Sequence, residues 1–221
     1  MPKQIIIGLI TEGSTDVRFL NSIVRRTFEK IAFECTQDID IYIQPFKVNK
    51  VGLSFIELVE KASREGVSSI GIMVLAVHTD ADRDTYEQRL NNKIIPAQMS
   101  LDRQNDEYCK ILTPVIPVKM IESWMLADKE LLKKEMGTTK SDNELGIKRD
   151  PESIADPKNV IEEAIRIATE NLSRRRQKLS ISDLYAIIGD TISLDELSKL
   201  DSYRKFQEAV RKTYRELNYM H

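Results

Sequence analysis

The sequence predicts an α/β protein in which a parallel sheet of about four strands, with flanking helices, is followed by a helical C-terminal portion. The chain opens on a β-branched apolar run, strand and helix patterns then alternate to about residue 118, and only helical patterns follow. Such alternation is typical of right-handed βαβ crossovers between parallel strands. We expect residues 1–118 to form the α/β domain and residues 119–221 a helical portion packed on it or extending it.

The first strand is predicted at residues 5–10, where an almost continuous apolar run suits a strand buried on both faces. A helix follows from about Ser14, a favourable N-cap residue, with apolar side chains at helical spacing. Alternating apolar and polar residues then predict a second strand at residues 39–46.

A second helix and a third strand follow. Ser54 and Glu57 have the spacing of a capping box, and Gly66 is the expected end of the helix that this box begins. The apolar run at residues 70–77 is the predicted third strand.

The end of the α/β region is predicted from weaker signals. A short helix is expected at residues 84–92, with a polar stretch from there to Glu107. A fourth strand is predicted at residues 108–115, cut short by Pro114 and Pro117, because proline cannot donate a ladder hydrogen bond.

Helices alone are predicted in the C-terminal portion. One covers residues 120–127, a second ends at Gly137, residues 138–151 form a polar loop, and an apolar stripe at residues 203–217 marks the last helix. The candidate helix caps are Asp128, Asp156 with Pro157, and Ser193 with Glu196.

Composition limits the classes of function. Thirty-three basic and thirty-five acidic residues give a formal net charge of −2, so no global field attracts nucleic acid or anionic lipid. Cys35 and Cys109 lie far apart without nearby Cys or His partners, which favours reduced thiols and a cytoplasmic protein. The N-terminal apolar run is interrupted at Gly8 and Glu12, far short of a membrane span.

Acidic residues follow two of the predicted strands. Glu12 comes after the first strand, and Asp80, Asp82 and Asp84 come after the third. Open parallel sheets bind ligands beyond the carboxyl ends of their strands, and alternate residues of an extended segment point the same way, so Asp80 and Asp82 are expected to face one point. Carboxylates that converge repel each other unless they bind protons or a cation, so the pattern predicts Mg²⁺ or Mn²⁺.

The order of these motifs resembles the TOPRIM fold of topoisomerases, bacterial primases and the overcoming-lysogenization-defect nucleases. That fold has a glutamate after its first strand and Asp-x-Asp after its third, positions held here by Glu12, Asp80 and Asp82. Residues 12–16 (EGSTD) and 121–128 (IESWMLAD) look more narrowly like a family of small uncharacterised prokaryotic TOPRIM-like proteins. The resemblance covers about the first 130 residues.

This resemblance implies metal-dependent phosphoryl-transfer chemistry. Glu12, Asp80 and Asp82 are the expected catalytic residues, Glu12 as general base or metal ligand, with Asp84 and Glu122 as further candidate ligands. Each acid also has a structural interpretation. Asp82 or Asp84 would cap the following helix, Glu122 would be a core-edge acid paired with Lys119 or Arg83, and Asp16 suits the first turn of a helix.

Candidate phosphate contacts are basic residues in two segments. Lys47 and Lys50 follow the second strand, and Arg174, Arg175 and Arg176 form the densest basic run, which is also typical of a solvated surface. His78 and Trp124 are more often structural than functional in such positions.

The leading hypothesis is therefore a Mg²⁺-dependent phosphodiester-cleaving enzyme, a nuclease associated with defence or mobile elements and acting on nucleic acid or a nucleotide phosphate. The alternatives are a non-catalytic metal- or nucleotide-phosphate-binding module, which docks a protein partner encoded nearby, and a nucleotidyltransferase. The absence of a Walker loop argues against ATP hydrolysis, and with only His78 and His221 the sequence gives no support for a Ser-His-Asp triad.

Overall fold

The computed structural model describes residues 3–49, 51–173 and 176–221, and it has a four-stranded parallel sheet between two layers of helices. The strand order is β2-β1-β3-β4, and all neighbouring strands are parallel. The predicted α/β fold class is confirmed. The strands are β1 (Lys3–Ile10), β2 (Ile39–Pro45), β3 (Val74–His78) and β4 (Leu112–Val115).

Ten α-helices lie in the described residues, with a π-helical turn at Leu90–Ile94 and 3₁₀ turns at Pro151–Ser153 and Arg176–Lys178. The helices are α1 (Ser14–Ala32), α2 (Phe55–Ile70), α3 (Tyr86–Arg89), α4 (Ile95–Asp102), α5 (Glu122–Met125), α6 (Lys129–Met136), α7 (Pro157–Thr169), α8 (Ile181–Thr191), α9 (Leu194–Leu197) and α10 (Asp201–Glu216). None of these helices is both long enough and apolar enough to cross a bilayer.

The sheet separates two hydrophobic cores. Val74 and Ala76 of β3 pack with α1 and the C-terminal helices, whereas Leu75 and Val77 pack with α2 and α4. This alternation follows the two-residue period of a strand. The C-terminal helices therefore share a core with the sheet, and a buried hydrogen bond of 2.6 Å between Thr113 and Thr213 ties α10 to β4.

The register of the sheet brings two chain segments together. β1 lies between β2 and β3, and Ile10 at its end is paired with Val77 of β3. Residues 11 and 12 therefore leave the sheet beside residues 78 and 79, at the carboxyl edge where a ligand is expected.

The second helix is longer than predicted. The capping box is confirmed, since Ser54 and Glu57 exchange their hydrogen bonds, but Gly66 lies inside α2 and the helix ends at Gly71 with φ +69°. Gly66 serves close packing instead, because a Cβ atom there would overlap the side chain of Ile72. The third strand consequently begins at Val74 and not at residue 70.

The predicted polar stretch before Glu107 is mostly helical. α3, the π turn and α4 continue to Asp102, and the fourth strand begins at Leu112 and not at residue 108. α4 buries only a narrow face made by Ala97 and Leu101, and its apolar residues Ile95 and Met99 are exposed. Gln98 also donates hydrogen bonds to Asp102 and to the Lys110 carbonyl, which holds this segment against the start of β4.

The sequence prediction missed α8. This helix packs on α1, and Gly189 permits the close approach because a Cβ atom there would overlap the Phe19 backbone. Arg26 of α1 donates hydrogen bonds of 2.8 Å to the carbonyls of Gly189 and Ile192. These bonds satisfy carbonyl groups at the C-terminal end of α8.

Three of the predicted caps are confirmed, and one helix is shorter than expected. Asp128, Asp156 and Ser193 accept hydrogen bonds from the first turns of α6, α7 and α9. The helix predicted at residues 120–127 is the single turn α5, followed at once by the Asp128 cap.

Candidate active site

Glu12 stands at the carboxyl edge of the sheet and contacts residues from two other segments. The Thr79 hydroxyl donates a hydrogen bond of 2.7 Å to Glu12 Oε1, and Lys93 Nζ lies 3.7 Å from the same oxygen. The adjacent cavity of about 120 Å³ is lined by Ile10, Thr11, Glu12, Phe55, Leu58 and His78. Two contacts therefore position Glu12, one from Thr79 just after β3 and one from Lys93 in the π turn.

Asp80 lies beside the fully buried imidazole of His78. His78 Nε2 is 3.1 Å from Asp80 Oδ1, and His78 Nδ1 is 3.6 Å from Asp16 Oδ2 on the opposite side of the ring. Burial raises the pKa of Asp80, the His78 hydrogen bond acts against this, and the charges of Glu12 and Asp16 raise it further. Asp80 is thus a largely buried carboxylate within a group of acids.

Asp16 has a second role at the start of α1. The N-cap of this helix is Gly13 and not Ser14, and the Gly13 N–H donates a hydrogen bond of 2.6 Å to Asp16 Oδ2. This contact agrees with the first-turn position expected from the sequence. The same carboxylate also lies against His78, so Asp16 links the helix terminus to the site.

Glu122 is buried, with 5% of its surface exposed, and the Tyr185 hydroxyl of α8 donates a hydrogen bond to its Oε1. Burial raises the pKa of Glu122, the Tyr185 hydrogen bond acts against this, and the charge of Asp80 raises it further. Burial and the contact with Glu122 likewise raise the pKa of Tyr185. The expected pairing of Glu122 with Lys119 or Arg83 is replaced by this tyrosine.

The other two acids of the third-strand motif are bound elsewhere. Arg89 Nη2 lies 2.8 Å from Asp82 Oδ2 and 3.5 Å from Asp84 Oδ2, and it donates a further hydrogen bond of 3.0 Å to the Ala81 carbonyl. β3 ends at His78 and Asp82 has φ +53°, so the extended geometry expected for residues 80–82 is wrong. Asp80 and Asp82 therefore have different partners.

We call Glu12, Asp16, Asp80 and Glu122 the Asp80 group, and Asp82 with Asp84 the Arg89 pair. Within the described ranges, no three His, Cys, Asp or Glu side chains are placed to hold a metal ion directly. The donor chemistry of the Asp80 group nevertheless fits a hard divalent cation, because carboxylate oxygens are the ligands that such cations prefer. Burial raises the pKa of Asp80 and of Glu122, and the charges of neighbouring acids add to this. Glu12, Asp80 and Glu122 are the candidate ligands from three segments of the chain.

The basic residues predicted to contact phosphate lie largely outside the described part of the chain. Lys47 is exposed beyond the end of β2. Lys50, Arg174 and Arg175 lie outside the described residues, and Arg176 opens the 3₁₀ turn at Arg176–Lys178. The role of these residues in phosphate binding stays a prediction.

Trp124 is a core residue, as expected. It is fully buried, its ring contacts Tyr203 edge to face at 5.2 Å, and its indole N–H donates a hydrogen bond of 2.8 Å to Ser202. This packing fixes α5, the short helix that carries Glu122.

Sequence reasoning missed Thr79, Lys93 and Tyr185. Thr79 looks like any strand-end residue, Lys93 falls in a stretch expected to be polar and irregular, and Tyr185 lies on the helix that was not predicted. The one available signal was the apolar spacing of Ile181, Leu184 and Ile188, which marks α8.

The family described as a domain of unknown function, DUF4276, matches residues 11–211. The chain belongs to the DUF4276 family. No curated protein matches the chain, and no solved structure does. The matched region of this DUF4276 protein includes every member of the Asp80 group and of the Arg89 pair.

Proposed function

We propose that this DUF4276 protein is a Mg²⁺-dependent phosphodiester-cleaving enzyme whose active site is the Asp80 group. The observation that carries the proposal is the convergence of acids on Asp80, whose pKa is raised by burial and by the charges of Glu12 and Asp16. Such perturbed carboxylates at the carboxyl edge of a parallel sheet are typical of functional sites. The motif order that resembles TOPRIM nucleases supports the same chemistry.

Mg²⁺ would be held by Asp80 with Glu12 and Glu122, three carboxylates that reach the site from different segments. When bound, the metal would stabilise negative charge on the phosphate and make bound water more acidic. Asp82, the other ligand expected from the sequence, is paired with Arg89 and would join only if that ion pair opened.

The chain's own residues would position these acids. His78 orients Asp80, Thr79 orients Glu12, and Tyr185 orients Glu122 through the contacts described above. Glu12 would act as the general base that accepts a proton from the attacking water, a role that suits a carboxylate with about half of its side chain exposed.

We place the reaction in the cytoplasm, with nucleic acid as the substrate. Both cysteines are free thiols and Cys109 is buried, as expected in a reducing compartment. A role in defence or mobile-element biology, with a protein partner encoded nearby, belongs to the same proposal.

The test measures cleavage of single- and double-stranded DNA and RNA with Mg²⁺ or Mn²⁺, and again with the metal removed by EDTA. Glu12→Gln should lower the cleavage rate by about 1000-fold, because it removes the base, and Asp80→Asn should abolish the metal-dependent cleavage. Asp106→Asn is the matched control, since Asp106 is fully exposed and pairs with Lys110 across 3.4 Å. Equal activity in all four proteins would refute the assignment.

One observation favours the alternative of a non-catalytic binding module. The carboxylates of Glu12, Asp80 and Glu122 all have hydrogen-bond partners within the chain, so the site is stable as a folded arrangement. Calorimetric binding of Mg²⁺ or of a nucleotide without turnover on any phosphoester would support this alternative. A requirement for nucleoside triphosphates would indicate nucleotidyl transfer.

A further inference from the structure

One helical stretch brings two cations to the site, four residues apart. Arg89 at the end of α3 contacts Asp82 of the Arg89 pair, and Lys93 in the π turn contacts Glu12. Side chains four residues apart lie on the same side of a helix, so this stretch spans both groups of acids.

The position of Lys93 is set by the π turn at Leu90–Ile94, where the Ile95 N–H donates to the Leu90 carbonyl five residues earlier. Pro96 follows directly and lacks the N–H that a continuous α-helix would use, which is a physical reason for the wider turn. π turns are rare and are frequent at functional sites. In this protein the turn carries an ammonium group to the edge of the Glu12 cavity.

The two cations differ in their exposure and in how closely they contact their partners. Arg89 has 8% of its surface exposed and donates two short hydrogen bonds, one of 2.8 Å to Asp82 and one of 3.0 Å to the Ala81 carbonyl. Lys93 Nζ lies 3.4 Å from Thr79 Oγ1 and 3.7 Å from Glu12 Oε1, and it stands 5.2 Å from the centre of the Phe55 ring. These contacts are longer, and a third of the Lys93 side chain remains exposed. An ammonium group has three donors, so Lys93 has capacity for a further acceptor.

A purely structural role explains this placement poorly. Partly exposed ion pairs contribute about 0–1 kcal/mol to stability, and 44% of the Glu12 side chain is exposed. A partly exposed cation beside a partly exposed candidate base is instead suited to an incoming anion. The ammonium also makes a cation–π contact with the ring of Phe55, a residue that lines the same cavity as Glu12.

We infer that Lys93 is the substrate-binding cation of this site and that it contacts a phosphate oxygen of a nucleic-acid backbone. The inference rests on the proposed function and deepens it, because it names the residue that recognises the polyanion. The sequence-based expectation of phosphate contacts from Lys47, Lys50 and the arginine run stays a separate prediction. Lys93 would exchange its long contact with Glu12 for a short one with phosphate.

The test measures binding of a fluorescently labelled single-stranded DNA twenty nucleotides long, with Ca²⁺ in place of Mg²⁺ because Ca²⁺ takes the same oxygen ligands. Lys93→Met should weaken binding by about tenfold, the loss of one charge-assisted contact. The slope of log K against log salt should become shallower by about 0.7. Lys93→Arg should stay within about threefold of the wild type, since it keeps the charge.

Lys110→Met is the matched control, because Lys110 forms a surface ion pair with Asp106. Unchanged affinity and salt slope in Lys93→Met would overturn the inference, and so would a wild type that does not bind the DNA. If Lys93→Met does not give a cooperative melting transition, Lys93→Gln serves the same comparison. Binding that depends on Lys93 without Mg²⁺-dependent cleavage would refute the proposed reaction alone, and cleavage without Lys93 dependence would refute this inference alone.

Discussion

The Asp80 group and the Arg89 pair derive from one short acidic motif but have opposite surroundings. Asp80 is mostly buried beside His78, and burial raises its pKa, with a smaller contribution from the charges of Glu12 and Asp16. Asp82 is 60% exposed and faces an arginine, with its backbone in the left-handed region. The first environment concentrates negative charge, and the second neutralises it.

This difference shows that the motif Asp-x-Asp does not by itself define which carboxylates act together. The chain turns between the two residues, and Arg89 holds the outer one away. The acids that converge on Asp80 lie just after β1, in α1 and in α5, all distant from Asp80 in the sequence. The carboxylates that repel each other, and that a bound cation would stabilise, are therefore those of the Asp80 group.

The largest expected effect on stability concerns α8, the helix whose Tyr185 contacts Glu122 of the Asp80 group. Gly189→Ala should lower the free energy of unfolding by about 3 kcal/mol, because the added methyl group overlaps the Phe19 backbone. Helix propensity alone predicts the opposite sign, with a gain of about 1 kcal/mol. Ala186→Gly on the exposed side of α8 is the control and should cost about 1 kcal/mol. Urea denaturation measures both, and a stabilised Gly189→Ala would show that α8 does not pack on α1 in this way.

Stabilisation by Mg²⁺ should be of similar size, and it distinguishes the Asp80 group from the Arg89 pair. Mg²⁺ at one hundred times its dissociation constant should stabilise the wild type by about 2.7 kcal/mol. Asp80→Asn should lose this stabilisation, whereas Asp84→Asn should keep it because Asp84 interacts with Arg89. Thermal melting with and without Mg²⁺ measures the difference. Loss of the effect in Asp84→Asn with retention in Asp80→Asn would reverse the assignment.

The smallest expected effect is the pH dependence of metal-free stability. A carboxyl group whose folded pKa is raised contributes stability that is present below its unfolded pKa and is lost as pH rises through the folded pKa. Burial raises the pKa of Glu122 above the ordinary value of 4.5. The stability of the wild type relative to Glu122→Gln should therefore fall as pH rises from 4 to 8 in EDTA. A difference that stays flat or increases would contradict the burial of a charged Glu122.

Much of the fold follows from local sequence signals. The run at β1, the Ser54 capping box and the Asp156–Pro157 start of α7 are set by neighbouring residues, so pattern and capping rules identify them. Gly66 was misinterpreted because its function is contact with Ile72, which no local rule contains. α8 was missed although its apolar spacing is visible, and its docking depends on the distant residues Phe19 and Arg26.

The location of the candidate site could be predicted from the sequence better than the set of residues that form it. The strand-end rule correctly brings Glu12 and Asp80 to one edge of the sheet, because parallel strands end side by side. It does not foresee the left-handed turn at Asp82 or the arginine seven residues later that binds it. Tyr185 and Lys93 reach the site only through tertiary packing, so one-dimensional spacing carries no signal for them.

The most direct test of the account is a crystal soaked in Mn²⁺ and measured for anomalous scattering. The account predicts a peak within about 2.5 Å of an Asp80 carboxylate oxygen, with Glu12 or Glu122 as a second ligand. A peak held by Asp82 and Asp84 with Asp80 still bound to His78 would contradict it.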